Sequence, residues 1–265
     1  MNDNKTSKNS IVAKFAVPIS FLILFFLAAN FTDCDLVTFW KRRNHLTDLV
    51  VDMIPPDFSY IQKILLPLFY TIQMSVTGTV LGTFFALVLS PFGAANLGFP
   101  AVIRRILRIV IQILRSFPAL ILALTATFLF GLGTFAGTFA ITLYTFAIMT
   151  KLTYEDASAA DVKAYQALRA MGVSKYVAYI HGILPEIIPG FLTNALYLLE
   201  TNVRHSSILG YVGAGGIGLL LNEKISWLEY DKVGTILLML FLTVCVIEYF
   251  SLQVQIPLKY QSHIH

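Results

Sequence analysis

Six long apolar blocks, separated by polar stretches, constrain this chain more than any other feature of its sequence. They run from Phe15 to Phe31, and from about Leu65 to Leu89, Ile109 to Phe130, Thr134 to Thr150, Ile187 to Leu209 and Val233 to Ile256. A membrane-crossing helix needs about 20 such residues. Of the 265 residues, 57% are hydrophobic and 13% charged, whereas soluble domains carry roughly 25% charged residues. Too few polar groups are present to cover a globule, so a water-soluble enzyme is excluded. The expectation is an all-α, polytopic integral membrane bundle of about six transmembrane helices. It leaves no room for a sizeable soluble domain, and residues 1–265 read as one transmembrane domain.

Residues 1–14 form a polar tail with Lys5, Lys8 and Lys14. The run 15–31 exceeds the usual signal core of about 7 to 15 residues and reads as a retained first span. Residues 32–64 read as an external loop, in which Pro55 and Pro56 stop any helix. Residues 65–256 form a five-span core. With the amino terminus inside, the inside segments hold eleven basic residues: Lys5, Lys8, Lys14, Arg104, Arg105, Arg108, Lys151, Lys163, Arg169, Lys175 and Lys259. The outside segments hold six: Lys41, Arg42, Arg43, Lys63, Lys224 and Lys232. That bias predicts cytoplasmic termini, against the pull of the triplet at 41–43. The net charge of +4 therefore reads as orientation, and no basic run interleaved with aromatics offers a track for nucleic acid. Cys34 and Cys245 lack metal-ligand spacing. His45, His181, His205, His263 and His265 lack it too, so no metal site is expected.

The longest inside segment, 151–185, reads as two short helices and a docking surface. Asp161 can cap the first, Gly172 can end it in the left-handed conformation, and Ser174 can cap the second. Leu184 and Pro185 mark the return to the membrane. On the fifth block, helical spacing puts Asn194, Tyr197, Thr201, Arg204 and His205 on one side and Leu192, Leu196, Leu199 and Val203 on the other. A charge at membrane depth faces a partner or a watery cavity, so Arg204 points away from lipid. Glu200, four residues earlier, can pair with it. That spacing fits a structural ion pair as well as a pathway lining for an anionic solute. Pro118 predicts a kink that frees the carbonyl of residue 114.

The segment Gly213-x-Gly215-x-x-Gly218 formally fits a dinucleotide fingerprint, but it follows a membrane span and lacks the strand, helix and acidic residue of that unit. No phosphate-loop Lys-Ser or Lys-Thr follows it either, so no ATP site is expected here. A tight re-entrant or external turn containing Gly210, Gly213, Gly215, Gly216 and Gly218 is the better reading.

Gln166-Ala167-Leu168, three residues, Gly172, then Leu184-Pro185 resembles the EAA loop of ABC-importer permeases in spacing, with Gln166, Leu168 and Gly182 departing from the pattern. Pro55-Pro56-Asp57-Phe58-Ser59-Tyr60, Arg115-Ser116-Phe117-Pro118-Ala119-Leu120 and the stretch from Asn202 to Gly218 resemble phosphonate-importer permeases over most of the chain. The resemblance implies a MetI-like bundle in the bacterial plasma (inner) membrane, working as a homodimer by alternating access. It implies two separate ABC ATPase subunits that bind ATP and Mg, docked on the 151–185 loop, and an extracytoplasmic substrate-binding protein. It also implies a phosphonate or related phosphorus oxyanion as substrate, with no catalytic residue and no cofactor in this chain. An importer permease for another oxyanion, an amino acid or a metal chelate is the nearest rival. A membrane enzyme would need paired carboxylates, His ligands or a Ser nucleophile at one depth, and a scaffold would leave the Arg204 stripe without purpose.

Overall fold

A computed structural model describes residues 16, 18–29, 31 and 36–261. No strand occurs among them. The chain divides into two compact units, one ending at Asp52 and the other starting at Met53, where the sequence suggests one domain. The first unit holds α1 (Pro18–Ala29), a short apolar helix inside the expected first span, and α2 (Leu36–Asp52). Residues 32–64 are thus not all loop. In α2, Arg43 stacks 4.6 Å over the Trp40 ring, and the helix stops before the Pro55-Pro56 pair that cannot continue it.

The second unit opens with a short 3-10 turn, Phe58–Tyr60, whose entry Asp57 fixes by accepting the Ser59 N–H at 3.0 Å. It leads directly into α3 (Ile61–Gly93), so residues 61–64 belong to the span rather than to the preceding loop. Next come α4 (Ala101–Ser116), α5 (Ala119–Phe130) and α6 (Thr134–Ala159). The chain then forms α7 (Lys163–Ala170), α8 (Lys175–Gly182), α9 (Leu184–Leu209), α10 (Ile217–Ser226) and α11 (Tyr230–Gln261).

Among the described residues three helices are long and apolar enough to cross a membrane: Phe58–Gly93, Thr134–Ala159 and Tyr230–Gln255. Two bent pairs, α4 with α5 at 94° and α8 with α9 at 69°, raise the number to five if each pair serves as one span. The sixth expected span is the 15–31 run, part of which lies outside the described residues. The third block is therefore a right-angled break at Pro118 and not a kink. The Leu114 carbonyl is not freed there, because the Phe117 N–H donates to it at 3.3 Å.

Small residues hold α3 and α6 together. Gly78 lies against Ile141, Gly82 against Thr145 and Gly93 against Tyr154, so contacts advance in step and the two helices run parallel. Gly78 and Gly82 are four apart, the spacing that lets helix backbones approach in a bilayer, where apolar burial gives no net drive to association. A Cβ on Gly82 would sit 2.7 Å from the Thr145 Cβ. The third helix of this core, α9, runs antiparallel, pairing Asn202 with Thr79 and Ser206 with Ser75.

Candidate functional site

Two candidate surfaces occupy opposite ends of the α3–α6–α9 bundle, with a polar stripe on α9 between them. At the end where α3 and α6 finish, α7 and α8 form the hairpin that local signals predict. Asp161 stands one residue before the N-cap, which is Val162 rather than the expected aspartate; its Oδ1 accepts the Lys163 N–H at 2.9 Å, which holds the Asp161 carboxyl below the usual carboxylate range. Gly172 has φ +86°, in the left-handed region that glycine enters without strain. Ser174 caps α8 by accepting the Val177 N–H.

The hairpin is clamped onto the span ends. The Tyr165 hydroxyl donates to the Leu97 carbonyl at 2.6 Å, the Lys175 ammonium donates to the Gly98 carbonyl, and the Tyr179 hydroxyl lies 3.3 Å from Ser90 Oγ. Gly182, where the EAA pattern has Ile, has a physical reason: a Cβ there would lie 2.8 Å from the Tyr165 backbone nitrogen. Gln166, Ala167 and Gly172 are exposed at the tip, beside Met171 at 71% exposure. Leu168 and Leu184 pack into the cluster beneath, and Pro185 lies in the first turn of α9, where its missing N–H costs nothing.

Three faces are distinguishable on α9. Phe191, Leu198, Asn202, Ser206 and Leu209 are buried. Leu192, Leu196 and Leu199 line a cavity of about 250 Å³ shared with Val76, Val80 and Thr83 of α3 and Val254 of α11. The predicted polar stripe is the remaining face. Tyr197 is 59% exposed and the Arg204 side chain 51%, with Asn194, Thr201 and His205 at its margins. Glu200, whose side chain is 12% exposed, forms the expected ion pair with Arg204. Along its length the stripe reaches the α4–α5 break: His205, its ring 5.3 Å from Tyr144, borders a cavity of about 320 Å³ with Pro118, Leu120 and Ile208.

Beyond α9 the Gly-rich segment folds as a tight turn. Gly210 starts a 3-10 turn that ends at Gly213 with φ +81°. Its carbonyls and amides then knit to the rest: the Gly133 N–H donates to the Gly213 carbonyl at 2.9 Å, and the Ile217 N–H to Thr71 Oγ1 at 2.8 Å. Gly215 packs on Thr134, Gly216 on Thr71, and Gly210 and Gly218 on each other's backbone. The turn therefore sits where α6 begins, far from the hairpin.

Three features escape sequence reasoning. Asn202 donates to Thr79 Oγ1 and Thr145 Oγ1, both at 2.8 Å, joining α9, α3 and α6 in the interior. Its signal was an Asn among apolar residues, but nothing nearby in the sequence marks its partners. The Gly78–Gly82 spacing was readable as a packing motif. Finally, Tyr60 collects three ammonium groups over its ring, from Lys63, Lys224 and Lys232, at 5.5 to 5.6 Å. Glu229 bonds Lys224 at 2.9 Å and Lys232 at 2.7 Å, holding its own carboxyl below the usual range, and together with Glu223 it raises the Lys224 ammonium. Among the described residues no cluster of three or more His, Cys, Asp or Glu side chains could hold a metal ion.

Residues 78–256 match the family model described as binding-protein-dependent transport system inner membrane component. A phosphite transport system permease, PtxC of Stutzerimonas stutzeri, is 31% identical over 217 residues, covering 82% of this chain and 79% of its own. The phosphate-import permease PhnE of Mycolicibacterium smegmatis is 32% identical over 200 residues, 75% of this chain and 38% of its own. Among solved structures, an inward-facing MetNI methionine ABC transporter chain aligns with a TM-score of 0.66 at 20% identity, over 76% of this chain and 99% of that one.

Proposed function

Because the chain belongs to the family of inner-membrane components of binding-protein-dependent transport systems, we propose that it is the permease of an ATP-driven importer for phosphonate or a related phosphorus oxyanion. Two copies face one another across their α9 stripes. Two separate ATPase subunits bind ATP and Mg and receive the α7–α8 hairpins, and an extracytoplasmic binding protein delivers the anion at the Gly-rich end. Both termini are cytoplasmic in the bacterial plasma (inner) membrane. The chain makes no covalent bond and holds no cofactor.

The observation that carries this reading is Arg204, half exposed on one copy at the depth of a spanning helix. A guanidinium in lipid is costly enough that such residues face a protein or a wet pathway. The substrate class rests on the phosphite and phosphate permeases that resemble the chain. Mechanically, α8 continues into α9 across a 69° bend at Ile183. A push on the hairpin when the ATPases close is thereby delivered to the helix that carries the stripe, opening the pathway to alternate sides.

Proteoliposomes containing the permease with its ATPase, supplied with binding protein, ATP and radiolabelled phosphite or methylphosphonate, test the proposal. ATP-dependent uptake that unlabelled phosphonate competes away is expected. Uptake of neither label, alongside uptake of a non-phosphorus solute, would reject the substrate class.

A further inference from the structure

We propose that the cavity at the α4–α5 break is a transit site midway across the membrane, in which Arg115 and Arg204, with Tyr144, Tyr197 and His205, hold the phosphorus oxyanion on its way inward. The site rests on the importer reading above and adds to it the end of α4, which lies outside the α9 stripe.

Its depth follows from α6. At about 1.5 Å per residue, Tyr144 lies about 15 Å from Thr134 at the helix start, half of a hydrocarbon core of about 30 Å. The Tyr144 and His205 rings meet at 5.3 Å, and both line the cavity of about 320 Å³ with Pro118, Ala119 and Leu120. The end of α4 therefore reaches that level, where the 94° break begins α5. Arg115, three residues before Pro118, is exposed there, and its charge acts on the Tyr144 hydroxyl, as does Tyr197 of the stripe. Groups from α4, α6 and α9 thus converge on one opening.

The charges of that opening do not cancel. Arg204 is paired with Glu200, whereas among the described residues no carboxylate lies within ion-pair distance of Arg115. Two guanidiniums against one carboxylate leave a surplus positive charge, which is costly at this depth unless a partner or a wet pathway meets it. A guanidinium presents paired N–H donors that match two oxygens of a phosphorus oxyanion. His205 Nδ1 has no hydrogen-bond partner among the described residues, leaving a polar atom for the solute or its water. Leu120, Ile208 and Leu209 make the remaining wall apolar. Few polar contacts beside an apolar wall give weak binding, which lets a conducted ion leave as well as enter.

Thiol accessibility tests the site on the permease–ATPase complex in proteoliposomes with binding protein. Cys34→Ala and Cys245→Ala remove the native thiols, and Leu120→Cys places one on the cavity wall, with Ile208→Cys as an independent second position. An anionic sulfonatoethyl and a cationic trimethylammonioethyl methanethiosulfonate are compared, each relative to its rate on a free thiol in water. The anion is expected to react about tenfold faster than the cation, as in a cleft lined by one sign of charge. Arg115→Gln should abolish that preference, and methylphosphonate should slow the reaction. No reaction at either position, with or without ATP, would mean that lipid or a second copy fills the opening. Equal rates, or a preference that survives Arg115→Gln, would remove Arg115 from the site, and a thiol that methylphosphonate leaves unprotected would remove the phosphorus oxyanion; each overturns the proposal. Methylphosphonate uptake by the same vesicles separates the two readings: uptake without protection rejects the site and spares the importer, and protection without uptake does the reverse.

Discussion

At Gly172 the consequences of a side chain are unusually separable, because a Cβ there would meet nothing within 4 Å. Only the backbone, at φ +86°, resists substitution. Gly172→Val should therefore strain the turn by about 1 to 2 kcal/mol and misdirect α8, while Gly172→Asn, which tolerates the left-handed region, should retain most coupling. Substrate-stimulated ATP hydrolysis by the purified complex measures both, and equal stimulation in the Val variant would show that this turn is not the pivot. Arg204 raises a different question. Its partner Glu200 is the more buried member, so Arg204→Gln leaves a carboxylate alone at depth, a change worth about 3 to 5 kcal/mol where the pair is buried. Adding Glu200→Gln restores charge balance without the positive charge. Recovered assembly with slow anion uptake is the expected result, and full recovery of both would reduce the pair to a brace. Asn202 is simpler: Asn202→Leu deletes two bonds that tie three helices, at a cost of about 1 kcal/mol in an unfolding assay within bicelles.

The elements differ in how much of themselves they disclose in sequence. The α7–α8 hairpin was legible almost residue by residue, since Asp161, Gly172 and Ser174 act within two or three positions of where they stand. The stripe on α9 was legible because helical periodicity needs no partner. What could not be read was anything set by distant segments. Asn202 looks like a stray polar residue until Thr79 and Thr145, 123 and 57 positions away, are brought beside it. Pro118 signals a disturbance, but the size of the turn depends on how α4 and α5 each pack. The loop at 32–64 was misjudged in extent because α2 is a polar helix, with no apolar run to announce it. For α3 and α6 the close approach yields a sharp expectation: Gly82→Val should push the helices apart and cost about 1 to 3 kcal/mol, the usual range for overpacking. Reduced melting temperature of the detergent-solubilised complex is the readout, and an unchanged value would mean that the seam opens without penalty.

Across the second unit, the hairpin and the Gly-rich turn mark two opposite ends, joined by α3, α6 and α9. Membrane sidedness should follow. A phosphatase fused after residue 265 should be inactive and one inserted between residues 226 and 229 active, with a cytoplasm-dependent reporter giving the reverse; matching signals at both sites would exclude the arrangement. The helices are also unequal in how much protein surrounds them. Of the apolar windows, 44% of that in α6 is buried but only 17% of that in α11. Apart from the turns that hold Val233, Ile236, Met239 and Leu240 and the end that buries Ser251 and lines the α9 cavity with Val254, α11 has to satisfy a solvent made of lipid chains, which distinguishes poorly among Leu, Ile, Val and Phe. In a saturation scan, α11 should behave like a degenerate text in which letters of one chemical class are interchangeable, whereas α6, written against Gly78 and Gly82, should permit few synonyms. Over evolutionary time the two helices would then keep different clocks, with α11 drifting fast within an apolar alphabet while α6 holds its spelling.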